Sequence, residues 1–137
     1  MTKKKTMIDG ANSFYKIRNF VSRPQLSVIR ELLKGEEGQF FIDKMMELAD
    51  RIETMPKTYE QDGKGQEAVA FLHYFIAGMD WYITERDMEA EQTQVFGQAD
   101  LGYGSEMGYI SIVELVEAGA ELDLHFVPAT LANINRR

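Results

Sequence analysis

Apolar residues recur every three to four positions over the first 56 residues. From about residue 68 they crowd instead into short runs separated by turn residues. The first regime predicts helices and the second strands. In the first, Leu26, Ile29, Leu32 and Leu33 share one helical face. Ser22-Arg23-Pro24 opens that helix and Gly35 closes it, with Pro tolerated in a first turn. A longer helix is expected from Glu36 and Glu37, acids that complement its dipole, to about Thr54. Its stripe is Phe41, Met45, Leu48 and Ile52, widened by Phe40, Met46 and Ala49. Asp43, Glu47, Asp50 and Glu53 take the wet face with Lys44 and Arg51, and Glu47 pairs with Arg51 at i,i+4. Residues 11–21 fit a turn or two of helix, and residues 1–10 read as a disordered basic tail. Met55-Pro56 ends the helical region, and residues 57–67 form a polar loop.

The second regime predicts an antiparallel sheet. Residues 68–76 read as one strand covered on both faces. Gly78-Met79-Asp80 reverses the chain, and residues 81–85 return as a second strand. Residues 86–91 make an exposed hairpin loop, and residues 95–100 a third strand. Residues 101–107, with Gly102 and Gly104, turn the chain into a short strand at 108–110. Ser111 and Glu114 form a capping box that opens a helix stopped at Gly119. Residues 121–126 alternate, with Leu122, Leu124 and Phe126 inward and Glu121, Asp123 and His125 outward. Pro128 opens a last helix through Ile134. The fold class expected is α+β, one domain over 1–137. An amino-terminal amphipathic helix pair packs on an antiparallel sheet of four to five strands, with a short inserted helix and a short carboxyl-terminal helix.

Composition narrows the chemistry. The 137 residues contain no cysteine, which excludes disulfides and thiolate catalysis. No apolar run is long enough to span a bilayer or follows the basic start as a signal peptide would. A cytoplasmic protein with no membrane association is expected. Charge is unevenly placed: residues 1–34 hold eight Lys and Arg against two acids, whereas residues 66–135 hold Arg86 alone against twelve acids. A surface so acidic repels nucleic acid and favours a basic protein partner, although acids also serve simply as a solubilising surface.

Candidate catalytic groups are few. His73 and His125 are the only histidines, and a small metal-dependent hydrolase would have to use them. They follow no metal-ligand spacing, so a structural role is favoured and no metal or cofactor is expected. The Gly102–Gly108 segment lacks the lysine of a phosphate loop. Glu85, Asp87, Glu89 and Glu91 read as solvated loop acids. Tyr74, Trp81, Tyr82, Tyr103 and Tyr109 offer a base-stacking platform for single-stranded nucleic acid, but such platforms interleave cations, and Arg86 is the one available.

The motif train Asp80-Trp81-Tyr82, Phe96-Gly97, Gly102-Tyr103, Gly108-Tyr109-Ile110-Ser111 with Glu114-Leu115, and Leu122-Asp123-Leu124-His125-Phe126 resembles a family of small domains of unknown function. That family is carried by conjugative plasmids, integrative elements and phages, and also occurs in polyvalent proteins beside antirestriction modules. The resemblance covers residues 68–134 and implies no catalytic residues. It implies a binding protein that occupies a host or plasmid protein with a basic surface, such as a restriction or CRISPR component. Asp80, Trp81, Glu85, Asp87, Glu89 and Glu91 are the expected interaction residues.

Overall fold

The structure, a computed structural model, describes residues 6–87 and 94–136. Helix α1 (Met7–Ile17) begins inside the stretch expected to be a tail. Thr6 caps it: its hydroxyl accepts from the Asp9 amide, and the Asp9 carboxylate accepts from the Thr6 amide at 2.8 Å. Residues 1–5 of that tail lie outside the described residues. A 3-10 turn (Arg18–Phe20) leads into α2 (Arg23–Lys34), capped by Ser22 with Pro24 in its first turn. Helix α3 (Gly38–Thr54) follows. Three helices therefore precede the sheet where a pair was expected, and α1 packs along α3.

The α3 stripe is as expected, with Phe41, Met45, Leu48 and Ile52 all buried. Arg51 is not on the wet face. Only 8% exposed, it keeps its ion pair to Glu47 at 2.8 Å and also donates to the Phe126 carbonyl at 2.9 Å. The reason is tertiary: the carboxyl-terminal segment arrives beside α3 with a backbone acceptor that needs a donor.

The main sheet has five antiparallel strands: β2 (Leu72–Ile76), β3 (Met79–Arg86), β4 (Gln94–Asp100), β5 (Ser105–Ser111) and β6 (Glu121–Leu122), in spatial order β5-β4-β3-β2-β6. One face, through Leu72, Tyr74, Ile83, Val95 and Ile110 with Trp81 half-buried, joins the stripes of the three helices in one core. The Tyr74 hydroxyl donates to the Phe20 carbonyl at 2.6 Å. The inserted helix α4 (Ile112–Glu117) is capped by the Ser111 hydroxyl, which accepts from the Glu114 amide, and Gly119 follows its end with positive φ.

Residues 68–76 are not one strand. Val69–Ala70, as β1, leaves the sheet to pair with β7 (Ala129–Thr130). Competing partners divide the run. The Gln61 side chain takes both the amide and the carbonyl of Val69, at 2.7 and 2.8 Å, whereas the Phe71 amide still donates to Ile83 in the main sheet. The β2–β3 reversal is the two-residue turn Ala77-Gly78, with φ of 50° and 80°, one residue earlier than expected and of the primed type that suits a twisted hairpin. Residues 121–126 pair only as far as Leu122. The Asp123 carboxylate then accepts from the His125 amide at 3.0 Å and turns the chain. Helix α5 (Leu131–Asn135) starts after Thr130, which caps it, rather than at Pro128. With Phe126 and β1, α5 builds a second small core on the other sheet face.

The two sheet edges differ. At β6 the Gln25 side chain of α2 accepts from the Leu122 amide at 2.8 Å and donates to its carbonyl at 2.7 Å, closing that edge. At β5 no further strand pairs among the described residues, and most of the strand is exposed. No helix among the described residues is long and apolar enough to cross a membrane.

Candidate functional site

Strict alternation would put Glu85 on the helix-covered face with Trp81 and Ile83. A β-bulge prevents this. Ile83 faces Gly97 and Glu85 faces Phe96, so β3 advances two residues while β4 advances one. Thr84 is the extra residue; it is fully buried, and its hydroxyl donates to the Phe96 carbonyl at 3.2 Å. Glu85 is thereby moved to the face of Phe96 and Tyr109, which are cross-strand partners with rings 5.4 Å apart.

Gly97 permits the bulge. A Cβ there would lie 2.1 Å from the Tyr82 carbonyl oxygen and 2.9 Å from the Ile83 Cα, both backbone atoms that cannot swing aside. A glycine inside a strand is the sequence signal for such an approach. Gly97 therefore carries the information that relocates Glu85, twelve residues away.

Above the bulge the expected polar loop is an ordered wall. The Arg86 amide donates to the Pro56 carbonyl, and the Thr58 amide to the Arg86 carbonyl, extending β3 where β2 has ended. Gln61 bridges the Val69 and Thr84 carbonyls. Between this wall and strands β4 and β5 lies a cavity of about 420 Å³, floored by Ala68, Thr84 and Phe96 and rimmed by Tyr59, Met107 and Tyr109.

Glu85 lines it. It is 4% exposed, although read from sequence as a solvated loop acid. Its carboxylate accepts from the Tyr59 amide. Burial pushes its pKa up, against the lowering effect of the Tyr59 and Gln61 amides, and the negative charges of Asp62 and Glu60 push the same way as burial. Tyr59 itself has φ 76°, a left-handed conformation that a bulky side chain rarely adopts. The Tyr59 and Tyr109 hydroxyls meet at 3.2 Å across the mouth, and that contact is the main reason the Tyr109 phenol is held above its usual pKa.

The expected interaction residues do not form one patch. Trp81 packs against the helix core. Asp80 lies at the other end of β3 from Glu85, five residues or roughly 16 Å along the strand. There its carboxylate contacts the His73 Nε2 at 2.7 Å. Asp87 is half-buried just past Glu85. Glu89 and Glu91 lie outside the described residues.

The two histidines do not converge. His73 stacks on Tyr82 at 4.5 Å and places its other nitrogen 3.1 Å from Asp123, which therefore turns inward and not outward as expected. Its two carboxylate neighbours sit at different ring nitrogens, which point apart. His125 is exposed and stacks over Phe40. Among the described residues no group of three or more His, Asp or Glu is placed to hold a metal. The five aromatic rings are likewise dispersed: Tyr74 is fully buried, Trp81 faces the helices, Tyr82 lies under His73 and Phe126, and Tyr103 and Tyr109 alone are exposed.

No protein-family model, curated protein or solved structure matches the chain.

Proposed function

We propose that this chain is a non-enzymatic binding protein of a plasmid or phage that engages a host or plasmid protein with a basic surface, a restriction or CRISPR nuclease being the leading class. One observation carries the reading. The β5 edge, unpaired among the described residues, and the turn before it expose Leu101, Tyr103, Met107 and Tyr109, beside Asp100 and Glu106, in a half of the chain where acids outnumber bases twelve to one. Aromatic and methionine side chains on an open edge are what the centre of a protein interface is made of, and surrounding acids select a cationic partner and speed its approach. The resemblance of residues 68–134 to a mobile-element family supports the setting.

The test is direct binding of the purified chain to purified restriction and CRISPR nucleases. The reading expects a complex with at least one of them that weakens as salt is raised, inhibits cleavage, and loses at least tenfold in affinity in the double variant Tyr103→Ala/Tyr109→Ala. Absence of any complex at low salt, or one indifferent to both salt and the edge variant, overturns it.

A further inference from the structure

We propose that the cavity over Glu85 is a receptor for a single arginine side chain presented by the partner. The inference rests on the basic-partner reading and states where that partner anchors.

The cavity's dimensions and chemistry select this occupant. About 420 Å³ lies toward the small end of ligand pockets, which run from roughly 300 to 1,000 Å³. It suits one long side chain better than a folded element. Its floor and rim are apolar at Ala68, Phe96 and Met107, a surface for an aliphatic stem. At its inner wall Glu85 is satisfied by backbone amides of Tyr59 and Gln61. A carboxylate has about four acceptor positions, so a planar guanidinium still finds two.

No lysine or arginine lines the cavity, and none pairs with Glu85 among the described residues. Asp62 adds a second negative charge on the wall. Burial already disfavours the ionised form of Glu85; an entering cation offsets that cost, because a nearby opposite charge favours the ionised form. At the mouth, Tyr59 and Tyr109 supply exposed aromatic rings and hydroxyls, and a guanidinium stacks on such rings better than an ammonium does. The Tyr59 amide also donates to the carboxylate that would receive the ligand.

The experiment titrates Nα-acetyl-arginine amide into the full chain and follows the Met107 methyl and the Tyr59 and Tyr109 ring signals by NMR. Nα-acetyl-citrulline amide, neutral but nearly the same shape, is the parallel arm. Saturable shifts at those three residues, at least tenfold weaker with the citrulline compound and at least tenfold weaker in Glu85→Gln, are the expected result. Equal shifts by the two compounds, or an unchanged affinity in Glu85→Gln, overturn the inference. Met107→Arg, at an exposed edge position, serves as a second variant if Glu85→Gln fails to fold; it puts a cation at the mouth and should abolish the arginine shifts, and retained shifts count against the site. The two readings fail separately. A nuclease complex that survives Glu85→Gln and Met107→Arg but not Tyr103→Ala/Tyr109→Ala removes the arginine receptor and leaves the binding surface.

Discussion

Replacing Gly97 by alanine tests the geometry on which the cavity depends. The added methyl would sit 2.1 Å from the Tyr82 oxygen and 2.9 Å from the Ile83 Cα. To bring the first contact to an ordinary distance, β3 and β4 must separate by about 1 Å at the bulge. A displacement of that size takes the neighbouring ladder bonds and the Thr84–Phe96 bond beyond hydrogen-bonding range, and each is worth about 1 kcal/mol net. Loss of three gives about 3 kcal/mol, at the upper end of the usual cost of overpacking. For a chain of this size that corresponds to a fall in Tm of roughly 10–15 °C. Gly108→Ala is the internal control. Gly108 is the cross-strand partner of Gly97, yet a Cβ there meets nothing within 4 Å, so it should be neutral or slightly stabilising. Urea unfolding of both variants reads the difference as a shift in midpoint at constant slope. If the two alanines cost the same, or if Gly97→Ala falls within about 0.5 kcal/mol of the parent, the bulge is not held by this contact and the placement of Glu85 loses its basis.

Further outcomes follow from the same structure. Burial raises the folded-state pKa of Glu85 above the ordinary glutamate value of about 4.5, so the folded protein binds the proton more tightly than the unfolded chain. Stability relative to Glu85→Gln should fall as pH rises from about that value through the raised one and then level off; a relative stability that is flat or rises with pH contradicts the assignment. Arg51→Ala strands the buried Phe126 carbonyl and should cost about 2–4 kcal/mol, whereas Glu47→Ala, removing the exposed half of the same pair, should cost about 0.5 kcal/mol; equal effects in denaturant would return Arg51 to the surface. Ala77→Asn should stabilise by about 0.5–1 kcal/mol, read as a higher Tm, because asparagine tolerates the left-handed turn position that alanine occupies under strain.

Much of the fold was legible because it is local. The Phe41-Met45-Leu48-Ile52 stripe, the Ser22 and Ser111 caps and the Gly119 stop report themselves within a few residues, and all appear where expected. The candidate site was half legible. Glu85 is singled out, but as an exposed acid grouped with Trp81 and Asp80, because the run of acids from Glu85 to Glu91 reads as a solvated loop and nothing along β3 itself marks a bulge. The sign was on the facing strand, at Gly97. Tyr59 and Gln61, which wall the cavity, sat in a stretch whose polar composition reads as any loop does.

The sequence by itself determined the α+β class, the buried faces of α2 and α3, and the concentration of negative charge in the sheet half. Periodicity and charge belong to the chain whatever it folds against. Tertiary structure alone decided that the 68–76 run divides between two sheets, that Arg51 goes inside, and that Glu85 faces a cavity. Each of those outcomes turns on which side chain meets which distant backbone group: Gln61 the Val69 amide, Arg51 the Phe126 carbonyl, and Glu85 the Tyr59 amide. A backbone donor or acceptor is the same at every residue, so the winner is set by where the folded chain brings it and not by the residues on either side.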